Sequence, residues 1–154
     1  MNARLSVAVA TALGVGYVPF APGTFGSLAG LVVFAGVRAT GQPAVELAAI
    51  VAIFFAGVWA ATAAEAHFGH IDPGPVVIDE VLGMLVTLTL LPVSMTGVLV
   101  GFVLFRVFDV IKPYPANRLE QLHGGVGVMA DDAMAAVYAN LVLRALLAVS
   151  HRLI

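Results

Sequence analysis

One apolar segment, residues 81–105, constrains the fold of this chain more than any other feature. Asp79 and Glu80 precede it and Asp109 follows it, while Pro92 interrupts it. A straight helix over the whole segment would carry these acidic residues to opposite ends. A proline in a helix interior removes a hydrogen bond and kinks or breaks the helix. A break at this proline would return the chain to its starting side.

The half of this segment before the proline is short. Residues 81–91 would form only about 16 Å of helix, whereas the hydrocarbon layer of a membrane is about 30 Å thick. We therefore predict a helix break or hairpin between Leu91 and Ser94. The acidic residues on either side of it are then expected to lie at one end of the molecule.

Composition sets the class of protein. Hydrophobic residues make up 61% of the 154 residues, charged residues only 10%, and the mean hydropathy is +1.04. Because soluble domains are about 45–50% apolar, the sequence predicts an integral membrane protein with a single domain over residues 1–154. The absence of cysteine excludes disulfides, thiolate metal sites and a cysteine nucleophile. A net charge of −2 argues against nucleic-acid binding, and no obligate protein partner is evident.

Three further apolar segments cover residues 25–37, 44–64 and 133–149. With the broken third segment they predict a helical protein that crosses the membrane several times. The N-terminal stretch resembles a signal peptide but is followed by no polar domain, so we expect it to be part of the fold. If the first two segments cross once each, Thr24 before the first and Asp131-Asp132 opening the last face the same aqueous layer as the other acids.

The acidic residues predict a metal site. Five of the nine acids in the chain fall in these motifs: Asp79, Glu80, Asp109, Asp131 and Asp132. Carboxylate oxygens without thiols favour a hard cation such as Mg²⁺, and five converging carboxylates would repel one another without one. The alternative is that both acidic pairs only complement helix N-termini.

Basic residues follow the same motifs. Arg106 lies three residues before Asp109, so the two share a helix face and can pair. Lys112 precedes Pro113, which is expected to end the helix there. These two cations, and Arg118 beyond them, are candidates for binding a phosphate, although each could instead neutralise a carboxylate. The same cations mark this side as cytoplasmic by the positive-inside bias.

Two glycine-containing turns give weaker signals. Gly124 and Gly125 precede the last acidic pair, where backbone N–H groups at a helix start could bind a phosphate. Residues 21–27 predict a tight turn in which Thr24 or Ser27 caps a helix, with Thr24 a candidate phosphate ligand. For both stretches a purely structural turn is the simpler interpretation.

Four motifs in this order resemble the phosphatidylglycerophosphatase A family: residues 21–30 (APGTFGSLAG), residues 79–84 (DEVLGM), Phe105-Arg106 with Asp109 and Lys112-Pro113, and Gly124-Gly125 with Gly127, Met129 and Asp131-Asp132. The resemblance covers nearly the whole chain. It implies an all-α fold, a compact helical bundle that passes the bacterial inner membrane several times. It also implies an enzyme that removes the terminal phosphate of phosphatidylglycerophosphate, a lipid held in the bilayer, with Mg²⁺ required.

The residues then suggest a mechanism. Without cysteine or an Asp-x-Asp-x-Thr motif, metal-assisted displacement is the chemistry that fits best. Its catalytic candidates are Asp79, Asp109, Asp131, Arg106 and Lys112. Attack by water and attack by an aspartate both stay open. The alternative class is a small membrane transporter that moves ions or protons along its intramembrane acids.

Overall fold

The computed structural model of the protein describes residues 3–149. Within that range it is entirely helical, without a strand, as the sequence predicts. Its elements are α1 (Ala3–Ala10), a 3₁₀ turn (Val15–Tyr17), α2 (Pro22–Arg38), α3 (Pro43–Phe68), α4 (Ile78–Leu88), α5 (Met95–Ile111), α6 (Ala116–Leu119) and α7 (Gly125–Val149). The N-terminal stretch is part of the fold, since α1 packs along α3.

Helix α4 lies at the centre of the bundle. It contacts α2, α3, α5 and α7, and nearly all of its side chains are buried. Its sequence, IDEVLGMLVTL, is apolar around the whole helix after the first turn, as expected of a helix that is enclosed on all sides. The two acids of that first turn, Asp79 and Glu80, are thereby held at one end of the core.

Two glycines set the distance between α2 and α4. A Cβ atom added at Gly26 would lie 2.7 Å from Cβ of Val77, and one added at Gly30 would lie 2.8 Å from Cβ of Met84. Glycines four residues apart form a flat strip on a helix and allow a neighbouring helix to approach closely. The glycines at 26 and 30 in the APGTFGSLAG stretch therefore have a packing role.

The predicted break in the third apolar segment is present. Helix α4 ends at Leu88 and α5 begins at Met95, with the backbone N–H of Gly97 donating to Ser94 Oγ at 3.4 Å. The two helices form a hairpin. The start of α4 and the last turn of α5 therefore lie at the same end of the bundle.

Polar side chains hold the hairpin loop at the opposite end. Arg38 pairs with Glu46 at 2.6 Å and donates to the carbonyl of Leu91 at 2.8 Å. From α7, Asn140 donates to the carbonyl of Thr87 at 2.9 Å, and its own oxygen accepts from Arg144. We call these four side chains, Arg38, Glu46, Asn140 and Arg144, the distal clamp. The three donors among them bind backbone carbonyl groups at and just beyond the end of α4. Glu46 instead accepts from the hydroxyl of Thr89 and the backbone N–H of Leu90.

The last helix begins earlier than the sequence predicts. Helix α7 starts at Gly125, so Asp131 and Asp132 lie in its second turn and do not open it. The glycine-rich stretch is helical because its glycines permit close packing. A side chain at Gly125 would overlap the carbonyl oxygen of Val58 in α3.

Helices α3 and α7 are long and apolar enough to cross a membrane. The most apolar stretch of α3 has a mean hydropathy of 2.2 and is only 22% buried; for α7 the values are 1.5 and 33%. Much of their apolar surface therefore faces outward.

Candidate active site

A cavity of about 270 Å³ opens at the end of the bundle where α2, α4 and α7 begin and α5 ends. The loop before α4 forms part of its wall. Eight ionisable side chains line it: Asp72, Asp79, Glu80, Arg106, Asp109, Lys112, Asp131 and Asp132. We call it the acidic cavity. The hairpin of α4 and α5 places Asp79 and Glu80 at the same end as Asp109, as the sequence predicts.

Three carboxylates converge at the base of the acidic cavity. Asp79, Glu80 and Asp132 each contribute an oxygen, and the three oxygens lie within 4.8 Å of one another. Asp79 and Asp132 are 8% and 3% exposed. Among the described residues, one oxygen of each of the three acids is buried without a hydrogen-bond partner. Buried polar atoms without partners are rare and destabilising, so this arrangement could hold a metal ion.

The electrostatics agree with that interpretation. Burial raises the pKa of Asp79 well above its ordinary range, and repulsion from Glu80 and Asp132 raises it further. Burial also raises the pKa of Glu80, although the Arg106 guanidinium acts in the opposite direction. The positive charge of the protein alone is therefore too small to keep the pKa values of these carboxyl groups in their ordinary range.

Arg106 joins the two halves of the hairpin. Its Nη1 atom lies 2.7 Å from Asp109 Oδ2 on its own helix and 3.5 Å from Glu80 Oε1 on α4. The pair with Asp109 is the one that the three-residue spacing predicts. Asp109 thus has the closer contact with this cation, and of the three carboxylates at the base of the cavity Glu80 also contacts it, at the longer distance.

Lys112 enters the acidic cavity from the end of α5. The residue has a left-handed backbone conformation (φ 45°) and ends the helix just before Pro113, as predicted. Its Nζ atom donates to Asp131 Oδ2 at 2.5 Å and lies 3.7 Å from Glu120. Burial lowers the pKa of Lys112, but the hydrogen bond and the charge of Asp131 outweigh it, so the pKa lies above its ordinary value. The side chain is therefore a permanent cation at the cavity.

Four residues predicted to bind phosphate do not line the acidic cavity: Thr24, Arg118, Gly124 and Gly125. The backbone N–H of Gly125 donates to Thr62 Oγ1 at 2.8 Å, so α3 takes the group expected to face an anion. Arg118 is exposed on the short helix α6. The predicted capping by Thr24 or Ser27 is wrong. Helix α2 begins at Pro22 without a side-chain cap, and Ser27 donates to the carbonyl of Gly23 inside the helix.

Sequence reasoning underestimated two contributors to the acidic cavity. Asp72 lies in a loop without periodicity, so the sequence does not predict where its side chain lies, yet it lines the cavity. Gly23 was part of a turn motif, but its α-carbon faces Glu80 and Arg106 so closely that a side chain would overlap the Glu80 carboxylate. The only sequence signal was the Pro22-Gly23 turn; the close approach to Glu80 is visible only in the structure.

The fold and this cavity define a class of protein: a helical protein with an apolar exterior and a small acidic site that contains two fixed cations. Clustered carboxylates suit a divalent metal, and the cations suit an anionic substrate such as a phosphate.

Comparison with known proteins identifies the family. The family model for phosphatidylglycerophosphatase A matches residues 8–147. The chain is 39% identical to a Bacteroides thetaiotaomicron protein provisionally named phosphatidylinositol-3-phosphatase, over 90% of this chain and 91% of the relative. It is 37% and 35% identical to the proteins named phosphatidylglycerophosphatase A of Haemophilus influenzae (90% and 86% covered) and Escherichia coli (84% and 76%). No solved structure matches the chain significantly.

The chain therefore belongs to the phosphatidylglycerophosphatase A family. This membership makes it an enzyme of the phosphatase class, and it favours hydrolysis over the ion transport that the sequence left open.

Proposed function

We propose that this protein hydrolyses the terminal phosphate of phosphatidylglycerophosphate, releasing phosphatidylglycerol and inorganic phosphate in phospholipid biosynthesis. The observation that carries the proposal is the convergence of three buried carboxylates with unpartnered oxygens beside Arg106 and Lys112. Relatives with 35–37% identity are named for this activity.

Asp79, Glu80 and Asp132 would hold the metal, which we propose to be Mg²⁺. All of their ligand atoms are oxygens, which suits this hard cation. The buried oxygens without hydrogen-bond partners are free to bind it. When bound, such an ion provides Lewis-acid stabilisation for a phosphoryl group and its leaving oxygen. Asp109 and Asp131, also predicted as metal ligands, are paired with cations here, so we give them the role of positioning Arg106 and Lys112.

The two cations would bind the substrate phosphate. Both side chains have hydrogen-bond donors at the cavity. Because their positive charges are in place before the reaction, they can stabilise the transition state without a rearrangement of the site. Water would add to phosphorus as the bond from phosphorus to the glycerol oxygen breaks. A carboxylate of the acidic cavity would accept a proton from the water. The leaving oxygen would take up a proton from solvent and become the hydroxyl group of phosphatidylglycerol.

The surface supports a multi-pass membrane location. Helices α3 and α7 have the length and outward apolar faces of membrane spans. Three exposed aromatic residues, Tyr17, Phe20 and Tyr114, lie near the end that carries the acidic cavity. Tyrosine and tryptophan are enriched where a membrane meets water. We propose that this end meets the cytoplasmic surface of the bacterial inner membrane, where the lipid headgroup reaches the cavity.

A second lipid substrate follows from the relatives. The Bacteroides protein is named for a phosphatidylinositol 3-phosphate substrate, which is also a lipid phosphate monoester. The acidic cavity would accept the phosphate of either lipid. The remainder of the headgroup then decides between them.

A substrate panel tests the proposal. Purified protein in vesicles would receive phosphatidylglycerophosphate, phosphatidylinositol 3-phosphate, phosphatidic acid or a soluble phosphomonoester, each with Mg²⁺ and with EDTA. We expect Mg²⁺-dependent release of phosphate, fastest from phosphatidylglycerophosphate. Preference for phosphatidylinositol 3-phosphate would transfer the assignment to that lipid. Release that EDTA does not reduce would contradict the metal site.

A further inference from the structure

An apolar groove lies beside the acidic cavity, between the N-terminal segment and α2. Its volume is about 660 Å³, and every side chain that lines it is apolar. One wall comes from α1 and the turn after it, and the other from one face of α2. Ile53 of α3 and the first turn of α4 form the rest of the lining. Binding sites for small molecules fall in this size range.

The groove follows a stripe on α2. Phe25, Ala29 and Val33 line it at intervals of four residues, which places them on one face of the helix. The alanine in the middle of the stripe leaves the groove deep at that point. Close packing on α4 uses a neighbouring strip of the same helix, at Gly26 and Gly30. The groove face itself stays open.

The groove and the acidic cavity share no lining residue, but the first turns of the same two helices contribute to both. Gly23 lines the cavity and Phe25, two residues later, lines the groove. On α4, Ile78 lines the groove and Asp79, the next residue, lines the cavity. The first turns of α2 and α4 thus form walls of both. A molecule with a phosphate at one end and an apolar chain at the other fits this arrangement.

The length of the groove agrees with a lipid chain. From Phe25 to Val33 the helix rises about 12 Å, and one leaflet of a bilayer provides about 15 Å of hydrocarbon. With the acidic cavity at the membrane surface, as proposed above, a groove of this length would cover most of the depth of one leaflet.

We propose that this groove binds one acyl chain of the lipid substrate; the proposal rests on the lipid phosphatase function proposed above. A chain that leaves the bilayer gains little hydrophobic free energy, because lipid is as apolar as the groove. The effect of chain binding is therefore to position the substrate: the bound chain fixes the headgroup over the acidic cavity. Position matters because a displacement of the reacting group by about 1 Å can reduce the reaction rate about 100-fold.

Two substitutions that narrow the groove test the proposal. Ala29→Phe fills its middle and Val33→Phe fills its far end. Ala56→Phe on the exposed face of α3 is the matched control, since this residue is exposed and lines no part of the groove. Phosphate release would be measured from dipalmitoyl and dihexanoyl phosphatidylglycerophosphate in mixed micelles with Mg²⁺.

The readout is the ratio of kcat/KM for the long-chain substrate to that for the short-chain substrate. We expect Val33→Phe to lower this ratio about tenfold, because only the long chain reaches the far end. Ala29→Phe should lower it less, because both chains reach the middle of the groove and both substrates are slowed. Ala56→Phe should leave it unchanged. An unchanged ratio in both groove variants would contradict binding of an acyl chain in the groove. A wild-type protein that is inactive on both lipids would contradict the proposed function instead.

A binding measurement keeps the proposal testable if a variant folds poorly. Wild-type protein would be photolysed with a phosphonate analogue of the substrate that carries a diazirine at the middle of one acyl chain. Adducts concentrated on residues 28–33 of α2 support the groove. Adducts spread evenly over the outward faces of α3 and α7 contradict it.

Discussion

Gly23 is the residue at which α2 comes closest to the acid cluster. A Cβ atom there would overlap the Glu80 carboxylate and lie 3.0 Å from both terminal nitrogens of Arg106. These atoms end flexible side chains, so they can move aside without disturbing the backbone. We expect Gly23→Ala to lower kcat at least about tenfold, while the free energy of unfolding changes by less than about 1 kcal/mol. Phosphate release and urea unfolding provide the two numbers; full activity would show that Glu80 and Arg106 need no fixed position.

Asp132 is the least exposed of the three converging acids. Asp132→Asn removes one metal ligand and also one buried negative charge. We expect phosphate release to fall at least about 100-fold, and the thermal stabilisation by Mg²⁺ to disappear, although the metal-free protein becomes no less stable. Glu65→Gln, which removes a carboxylate from the same end without touching the cluster, is the control. An Asp132→Asn protein that Mg²⁺ still stabilises would exclude this residue as a ligand.

Among individual residues, those that the sequence identified correctly belong to types that are rare in this chain. Acids and cations stand out in a sequence with only 10% charged residues, and seven of the predicted site residues line the acidic cavity. Gly125 shows the limit, because only the tertiary structure reveals that Thr62 takes its backbone N–H. Asp72 shows a second limit: it lies in a loop, where no periodicity of the sequence predicts the direction of a side chain.

The packing of α2 on α4 gives a test at the level of elements. A Cβ atom at Gly26 would lie 2.7 Å from Val77 Cβ and 3.1 Å from the Val77 carbonyl oxygen, whereas one at Gly36 on the same helix meets nothing within 4 Å. We expect Gly26→Ala to destabilise the protein by about 1–3 kcal/mol through overpacking. Gly36→Ala should stabilise it by about 0.5–1 kcal/mol, because alanine favours a helix. Unfolding in denaturant compares the two; equal effects would contradict the close approach of the helices.

Element boundaries followed from the sequence where proline fixed them. Pro92 predicted the hairpin, and Pro113 predicted the end of α5 at Lys112. The start of α7 did not follow, because glycine weakens a helix in isolation but here permits contact with α3. The distal clamp was equally hidden: Arg144 gains its partners only once α7 lies beside the end of α4.

For the whole molecule, the raised pKa values of Asp79 and Glu80 link stability to pH and metal. A raised carboxyl pKa means that the metal-free fold prefers the protonated acid. The contribution of such a group to the stability of the fold is present at low pH, and it is lost as the pH rises through the pKa of the group in the folded protein. A bound cation offsets this loss because the ionised carboxylates then face positive charge.

We therefore expect Mg²⁺ to raise Tm markedly at about pH 8 and only slightly at about pH 5, close to the ordinary carboxyl pKa. Thermal unfolding with Mg²⁺ or EDTA at each pH measures the difference. An equal rise at both pH values would mean that the cation binds elsewhere.

Composition predicted the helical, apolar character of the whole molecule, and the Pro92 hairpin predicted the shared end for the acids. The groove beside the cavity was not predictable, because residues distant in the sequence, from the N-terminal segment, α2, α3 and α4, form its lining only in the folded protein.

The most direct measurement of the central claim is phosphate release from phosphatidylglycerophosphate vesicles during a titration with Mg²⁺, for the wild-type protein and for Asp132→Asn. We predict release that rises to saturation with Mg²⁺, stops with EDTA, and is nearly absent in the variant. Equal release from both proteins, or release without any divalent cation, would contradict the assignment of the three converging carboxylates as the metal site of a lipid phosphatase.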